Sequence, residues 1–302
     1  MKRFINTILI LAVCAVLAYV TTDNNNPDTK TAVSADALTV TFIDVGQGDS
    51  ALVETANGTK LLIDGGEYDA YDKELAPFLA ERNITNIDYA LVSHYHTDHM
   101  GGISKLLENG AVDTLLIPKY DDTNQNRERI VKKADKHNVE INEICAGDVI
   151  DLGDPNLKIS VLHPLSGGFS KENENSNSLV LMLDYLGEKF LFTGDLEDDA
   201  ESVLLEKYDL EADVLKVGHH GSYSSTSRKF LAAVDPTYAV IEAGRNNRYG
   251  HPHYEVLNLL ENDDIRIYRT DEDGDITFAV TEKGIESIST ERGAAKNGNQ
   301  RP

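Results

Sequence analysis

Cysteine and basic residues are both scarce in this chain. Only two cysteines occur in 302 residues, Cys14 inside an apolar N-terminal run and Cys145 in the body of the chain. Once the N-terminal run is set aside, a single cysteine excludes an internal disulfide, so the folded body must be stabilised without one. The 28 basic residues face 51 acidic ones, and the formal net charge of -23 opposes non-specific binding to polyanions such as DNA or acidic lipid surfaces.

Long apolar runs are also scarce, and the prominent one spans residues 4–20. Lys2 and Arg3 precede it, and a polar stretch begins at Thr21. This order is typical of a secretion signal or an uncleaved signal anchor. The run is short for a membrane-spanning helix, so cleavage and retention both stay open. Leu11–Cys14 loosely matches a bacterial lipoprotein box, which leaves lipid attachment open as well.

We therefore expect an exported protein, extracellular or at the cell surface, that contacts the membrane only through its N-terminal segment. Residues 21–37 are rich in Asn, Thr, Asp and Ser without periodicity, which indicates a flexible spacer. Residues 288–302 are predicted to form a disordered tail. The composition between these ends, 41% hydrophobic and 26% charged over the whole chain, is that of a globular protein. No break in composition divides residues 38–287, which predicts one domain.

The strongest local pattern is a run of candidate metal ligands after an apolar strand. Tyr89–Val92 is followed by Ser93, and then His94, His96, Asp98 and His99 fall within six residues. In an extended turn, His94 and His96 project to one side and can bind one ion, while Asp98 and His99 face a second. Imidazole and carboxylate donors suit zinc, and also manganese or iron. The alternative is a polar surface loop.

Strands followed by ligand loops and helices recur in both halves of the chain. Alternating apolar residues over Leu38–Val45 and a turn at Asn57–Gly58 predict a β-meander. A helix follows from about Tyr71, and another begins near Gly102. The second half repeats the pattern, with apolar runs that end at His163, Thr193-Gly194-Asp195 and Gly218-His219-His220. This order predicts an α/β protein with two stacked sheets and helices outside, an αββα sandwich.

These motifs carry a resemblance to a known family. The histidine run, Gly194-Asp195 and a later strand-end histidine resemble the metallo-β-lactamase fold of hydrolases. The segments Phe42–Ser50, Leu62–Gly66, Lys216–Ser222 and Gly250–His253 are further similar to the hydrolase-like domain of the competence protein ComEC. The resemblance covers about residues 38–280.

The resemblance implies a site with two metal ions. His94 and His96 would bind the first ion, Asp98 and His99 the second, and Asp195 would bridge them. Asp64 would orient the histidine loop without binding metal. The remaining ligand of the second ion would come from His219 or His220, with His219 slightly favoured.

This chain differs from the family pattern at the third ligand of the first ion. Many members place a histidine in the turn before the strand that precedes Gly-Asp, whereas this turn reads Glu172-Asn173-Glu174-Asn175-Ser176-Asn177. His163, at an upstream strand end, is the candidate substitute. The alternative is that His163 is an ordinary loop residue before Pro164.

Two bridged ions predict hydrolysis by a metal-bound hydroxide, with zinc as the expected metal and manganese the next. The expected catalytic residues are Asp98, Asp195, His220 and His251, and Arg245 and Arg248 could bind a phosphate. The resemblance implies a phosphodiester substrate, DNA or a smaller one. An acyl, lactone or β-lactam substrate and a non-catalytic role in DNA uptake are the alternatives, because a fold alone does not define the substrate.

Overall fold

The computed structural model describes residues 37–120 and 124–292. The predicted N-terminal signal and nearly all of the predicted spacer, residues 21–37, lie outside these ranges. Among the residues that are described, no helix has the length and apolar character needed to span a membrane.

The first sheet has eight strands in the order β15-β14-β1-β2-β3-β4-β5-β6 within the described part of the chain. Neighbours from β15 to β3 are antiparallel, and β3 to β6 are parallel. Alternation places Leu38, Val40 and Phe42 on the face toward the second sheet. The strands are β1 (Leu38–Phe42), β2 (Ala51–Glu54), β3 (Lys60–Ile63), β4 (Ile87–Leu91), β5 (Val112–Pro118), β6 (Glu140–Ile144), β14 (Ile276–Thr281) and β15 (Gly284–Thr290).

The second sheet has seven described strands in the order β13-β12-β11-β10-β9-β8-β7. The strands from β10 to β13 are parallel, and those from β7 to β10 are antiparallel. Phe190 and Phe192 face the first sheet, while Leu191 between them faces the helices. The strands are β7 (Val149–Ile150), β8 (Leu157–His163), β9 (Val180–Tyr185), β10 (Glu188–Phe192), β11 (Val214–Lys216), β12 (Tyr238–Ile241) and β13 (Arg266–Arg269).

Helices cover the outer face of each sheet. Three groups of buried apolar side chains result, one between the sheets and one under each helical layer. The predicted αββα sandwich is therefore confirmed. The helices are α1 (Ala76–Glu81), which continues a π-helical turn (Tyr71–Leu75), α2 (Thr97–Glu108), α3 (Gln125–Lys136), α4 (Asp198–Lys207), α5 (Arg228–Val234), α6 (Tyr254–Asn262) and the single turn α7 (Thr270–Asp273).

Three boundaries differ from those predicted. The helix expected to begin near Gly102 begins at Thr97, so Asp98 and His99 lie in its first turn. The first strand ends at Phe42 rather than Val45, although Ile43 still pairs through its N–H with Ser50 O at 2.8 Å. At the other end, β15 runs to Thr290, beyond the boundary predicted at residue 287. Its Ile285 and Ile288 pack against the core between the sheets, which explains why the chain stays ordered there.

Candidate metal centre

The predicted ligands meet at one edge of the sandwich, where strands of both sheets end. His94–His99 follow β4, Asp195 follows β10, and His219 and His220 follow β11. Because β10 and β11 are parallel, their carboxyl ends lie side by side. Residues more than 100 positions apart in the sequence are thus brought to a common point.

Glycine allows the histidine loop to lie tight against the loop that follows β3. A Cβ on Gly102 would lie 2.0 Å from Gly65 O, closer than atoms can approach. The Gly65 N–H donates to His99 O at 2.7 Å, and the Gly102 N–H donates to Gly66 O at 3.0 Å. The first turn of α2 is therefore fixed to residues 64–66.

Asp64 uses this position to hold the histidine loop. Its carboxylate accepts hydrogen bonds from Ser93 N at 2.7 Å and Ser93 Oγ at 2.6 Å, and lies 2.9 Å from His99 Nδ1. An acceptor at Nδ1 leaves the His99 Nε2 lone pair free for a metal ion. This contact is the orienting role that the resemblance implied for Asp64.

Asp195 lies at the centre of the imidazoles. Its Oδ2 is 3.2 Å from His99 Nε2 and 3.5 Å from His220 Nε2, and slightly farther from Nε2 of His219 (3.7 Å) and His94 (3.9 Å). Its Oδ1 is buried and has no hydrogen-bond partner among the described residues. A carboxylate placed this way can reach an ion on either side.

Among the described residues, four groups of three donor residues have their donor atoms within 4.8 Å of one another. Two of these groups use Asp49, which pairs with Lys216, and the other two share no residue and can each hold an ion. The first group is His94, His96 and Asp195, and the second is Asp98, His99 and His220. The sequence predicts the same division of the histidine run between two ions. The first group stands without a further histidine in the described part of the chain.

Of the two histidines after β11, the structure places a different one beside the donor atoms from the one that the sequence slightly favours as a ligand. His220 is buried, its Nε2 lies 3.4 Å from Asp98 Oδ2, and its Nδ1 lies 3.0 Å from Asp49 Oδ1. His219 is 22% exposed, belongs to neither donor group, and has its Nδ1 3.3 Å from Glu197 Oε1. Both residues have positive φ angles, of 46° and 53°, and this tight turn directs the two rings apart. The geometry favours His220 as the ligand.

His163 belongs to neither of these two donor groups, although its Nε2 is buried without a hydrogen-bond partner among the described residues. Its Nδ1 lies 3.0 Å from Ser178 O, and its ring contacts Phe169 at 5.8 Å between centroids. The turn that lacks the family histidine instead brings Glu174 near the site, with Oε2 at 4.0 Å from His96 Nε2. The same Glu174 accepts the Tyr95 N–H at 2.6 Å, so it is anchored beside the first donor group.

We expect His163→Ala to leave the bound metal content unchanged, since its ring lies outside both donor groups. Inductively coupled plasma mass spectrometry of the purified variant checks this expectation. A fall from about two ions per chain, the number expected for a bridged hydrolytic site, toward one would return His163 to the first metal site.

The electrostatics of the centre are dominated by buried carboxylates. Burial lowers the pKa of a histidine, but at His99 the carboxylates of Asp195, Asp64 and Asp49 outweigh burial and raise the pKa well above its ordinary value. The same competition raises the pKa of His220 to about 10. Burial raises the pKa of an aspartate, yet His220 and His99 hold the pKa of Asp195 well below its ordinary value. The centre therefore favours positive charge.

This demand for positive charge fits metal ions. His99 Nε2, His220 Nε2 and Asp195 Oδ1 are buried without hydrogen-bond partners in the described ranges, and they belong to or border the donor groups. Divalent cations would satisfy these atoms and replace the protons on the imidazoles. Nitrogen and carboxylate donors at this density suit zinc or manganese.

Three buried charged residues near the centre were missed as site members by sequence reasoning. Asp49 is 3% exposed and forms an ion pair with the buried Lys216. Lys216 Nζ also donates to Gly194 O at 3.0 Å. Glu242 accepts the Ser50 N–H at 2.8 Å, and burial together with Asp49 raises its pKa to about 8. A lysine inside the apolar run Val214–Val217 was the available signal.

His251 lies at the rim of the centre. Its ring is 5.5 Å from that of His219 and 5.9 Å from that of His220, and its Nδ1 is buried without a partner among the described residues. Burial and the neighbouring histidines lower its pKa to about 4. Arg245 is directed away, because its guanidinium donates to Asp271 O at 3.1 and 3.2 Å.

A cavity of about 620 Å³ adjoins the first donor group and has Glu174 in its wall. Phe169 and Lys171 also line it, so it offers an apolar face and a cation. Its volume is within the range of small-molecule sites.

The fold and the paired donor groups are those of one superfamily. The sequence profile of the Metallo-beta-lactamase superfamily matches residues 43–244. The chain belongs to this superfamily of metal-dependent hydrolases.

Its relatives narrow the class further. The chain is 37% identical over 256 residues to ComE operon protein 3 of Bacillus subtilis, covering 79% of this chain and 32% of that protein. It is 31% identical over 260 residues to Competence protein ComA of Neisseria gonorrhoeae, covering 85% of this chain and 34% of that protein. The chain thus spans about a third of the length of these curated relatives.

Solved structures agree with the fold. The metallo-beta-lactamase fold protein YhfI from Bacillus subtilis aligns with a TM-score of 0.51 at 13% identity, over 76% of this chain and 96% of that one. CmlA beta-hydroxylase, as its E377D mutant, aligns with a TM-score of 0.54 at 13% identity, over 80% of this chain and 53% of that one. At such low identity these likenesses support the fold alone.

Proposed function

We propose that this chain hydrolyses phosphodiester bonds with the help of two divalent cations, zinc first and manganese second. His94, His96 and Asp195 hold one ion, and Asp98, His99 and His220 hold the other. The observation that carries the proposal is the position of Asp195, whose carboxylate faces both donor groups with one oxygen left without a partner. Bound divalent ions supply an activated water and neutralise charge on the substrate.

The chain's own residues prepare the site for this chemistry. His99 Nδ1 lies 2.9 Å from the Asp64 carboxylate and His220 Nδ1 lies 3.0 Å from the backbone oxygen of Glu242, which fixes both rings with Nε2 toward the ions. His219 and His251 line the rim where a leaving group would emerge. With a pKa of about 4, His251 is neutral at neutral pH and acts as a hydrogen-bonding group there.

Two further features bear on the substrate class and on where the domain acts. Two of the relatives carry ComE operon and competence in their names. The N-terminal pattern supports export, so we propose that the domain acts outside the cytoplasm on DNA or on a smaller phosphodiester. The net charge of -23 implies that any polyanion is bound weakly and with the help of divalent ions.

A panel of substrates tests the proposal. The metal-loaded protein is assayed against bis-p-nitrophenyl phosphate, p-nitrophenyl phosphorylcholine, single-stranded and duplex DNA, and nitrocefin. We expect turnover of phosphodiesters, abolished by EDTA and restored by zinc or manganese. Turnover of nitrocefin alone would reassign the substrate to the acyl class, and a fully loaded protein inert to all five would indicate a non-catalytic role.

The histidine pair gives a sharper test of the site. We expect His220→Ala to lose one bound ion and nearly all activity, because it removes a buried donor of the second group. His219→Ala is the matched variant next to it, and should keep both ions while losing a smaller part of the rate. Metal analysis together with initial rates distinguishes them. The reverse order of metal loss would make His219 the ligand.

A further inference from the structure

A continuous row of aromatic rings leads from the metal centre to the surface. The His251 ring contacts His219 at the centre, stacks on Tyr249 at 5.6 Å with an interplanar angle of 20°, and meets His253 at 4.8 Å. His253 in turn contacts Tyr223 at 4.9 Å. We name these four residues, Tyr223, His253, His251 and Tyr249, the aromatic ridge.

The two loops that form the ridge are held together by backbone contacts. The Tyr223 N–H donates to His253 Nδ1 at 3.1 Å, and the His253 N–H donates to Gly221 O at 2.9 Å. Asn247 Oδ1 accepts the N–H groups of His251 at 3.0 Å and of Tyr249 at 3.1 Å. The ridge is therefore a preorganised surface rather than a set of separate side chains.

The outer rings of the ridge face solvent. Tyr223 is 73% exposed and Tyr249 is 48% exposed, although burial of such large aromatic side chains would stabilise the fold. Arg248 lies over the Tyr249 ring with its guanidinium carbon 4.8 Å from the centroid, and its Nη2 donates to Tyr249 Oη at 2.6 Å. His251 stacks on Tyr249 and Arg248 lies over the same ring, so the open π face of the ridge is mainly that of Tyr223. An open aromatic face and a cation on one surface are what a nucleobase and its phosphate can use.

The net negative charge of the chain favours base stacking over phosphate contacts as the way in which this surface would bind a nucleic acid. With a net charge of -23, the protein cannot attract a nucleic acid mainly through phosphate contacts. Stacking on aromatic rings does not depend on net charge and is available only to bases that are unpaired. A duplex conceals those faces in its own stack.

We propose that the aromatic ridge stacks the unpaired bases of single-stranded nucleic acid and so presents the adjoining phosphodiester to the metal centre. The inference rests on the proposed function and names its substrate class. It predicts that bases, and not only the backbone, contribute to affinity.

The test compares three labelled oligomers of about 12 units, within the range of ~4–16 nucleotides that a single nucleic-acid-binding fold covers. These are oligothymidylate, an abasic strand with the same number of phosphates, and an oligothymidylate–oligoadenylate duplex. Binding is measured by fluorescence anisotropy on the metal-loaded protein with phosphorothioate-linked strands, so that the ions stay bound while turnover is slow. KM and kcat are then measured with manganese. A ribose form of the single strand is run in parallel, since the stacking faces are the same.

Two pairs of variants complete the design. Tyr223→Ala with Tyr249→Ala removes the exposed rings, while Tyr223→Phe with Tyr249→Phe keeps them and removes only the hydroxyl groups. We expect the alanine pair to raise Kd and KM for the single strand by about tenfold or more, the size found for loss of base–aromatic stacking. The phenylalanine pair should stay within about twofold of the parent, because stacking does not need the hydroxyl group. Circular dichroism confirms that both pairs are folded.

The outcomes separate this inference from the proposed function. Three results would overturn the ridge as a base-binding surface, even if phosphodiesters are hydrolysed. The abasic strand could bind as tightly as the two single strands that carry bases, the duplex could bind as tightly as the single strands, or the alanine pair could bind as tightly as the parent. Base-dependent binding without hydrolysis of any phosphodiester would instead retain the ridge and reject the proposed function.

Discussion

Asp195→Ala is expected to remove at least about 10³-fold of the hydrolytic rate, because charge stabilisation by a metal pair amounts to several kcal/mol and each 1.36 kcal/mol is tenfold in rate. Asp195 Oδ2 lies within 3.9 Å of Nε2 of His94, His99 and His220, so its removal affects both donor groups. Bound metal should fall together with the rate. Initial rates and metal analysis on the same preparations measure both.

His96→Ala tests one donor group by itself and should also remove nearly all hydrolysis. The matched control is His137→Ala, since His137 follows α3 and takes no part in the donor groups. His96 is 45% exposed at its side chain, whereas Asp195 is 2% exposed, so circular dichroism of each variant is needed to separate loss of the site from loss of the fold. Full activity with unchanged metal content in Asp195→Ala or His96→Ala would reject this assignment of the site.

The second large effect is on stability. Lys216→Met is expected to lower the free energy of unfolding of the metal-free protein by about 3–5 kcal/mol, the usual cost of removing one partner from a buried ion pair. Lys216 is 2% exposed, pairs with the buried Asp49 and donates to Gly194 O, so the substitution leaves both acceptors without their cation. Urea unfolding followed by circular dichroism measures the change.

Lys73→Met is the control for this experiment. Lys73 also forms an ion pair, with Asp69 at 2.8 Å, but both side chains are mostly exposed, and water compensates for the lost contact. We expect this variant to unfold at nearly the same urea concentration as the parent. If Lys216→Met were equally mild, the buried Asp49 carboxylate would have to be satisfied by His220 and His99 alone.

The fold class was accessible from the sequence because its signals are local. Alternating apolar residues in β1, continuous apolar runs in β3 and β10 and the turn at Asn57–Gly58 are the patterns of strands that are buried on one or both faces. Residues 288–290 of β15 fall inside the predicted disordered tail, whose prediction rests on the Gly/Asn-rich far end of the chain. The strand is ordered because it pairs with β14.

The histidine run could likewise be interpreted from spacing, since four ligand-type residues within one turn can reach only a small volume. The choice between His219 and His220 could not be made from spacing, because adjacent residues differ by only one position in their distance along the chain from every other ligand. The positive φ angles of the turn at Gly218–Gly221 direct His220 inward, and that turn is fixed by the His219 N–H donating to Gly194 O at 3.1 Å.

The sequence by itself thus determined the αββα architecture and the clustering of ligand-type residues over His94–His99, because each depends on residues close together in the chain. Only the tertiary structure decided the partners that come from a distance. Asp49 lies 167 positions before Lys216 in the numbering, and the two meet because packing of the sheets buries both charges where neither can remain unpaired. The same packing leaves His163 hydrogen-bonded to Ser178 O and outside the donor groups.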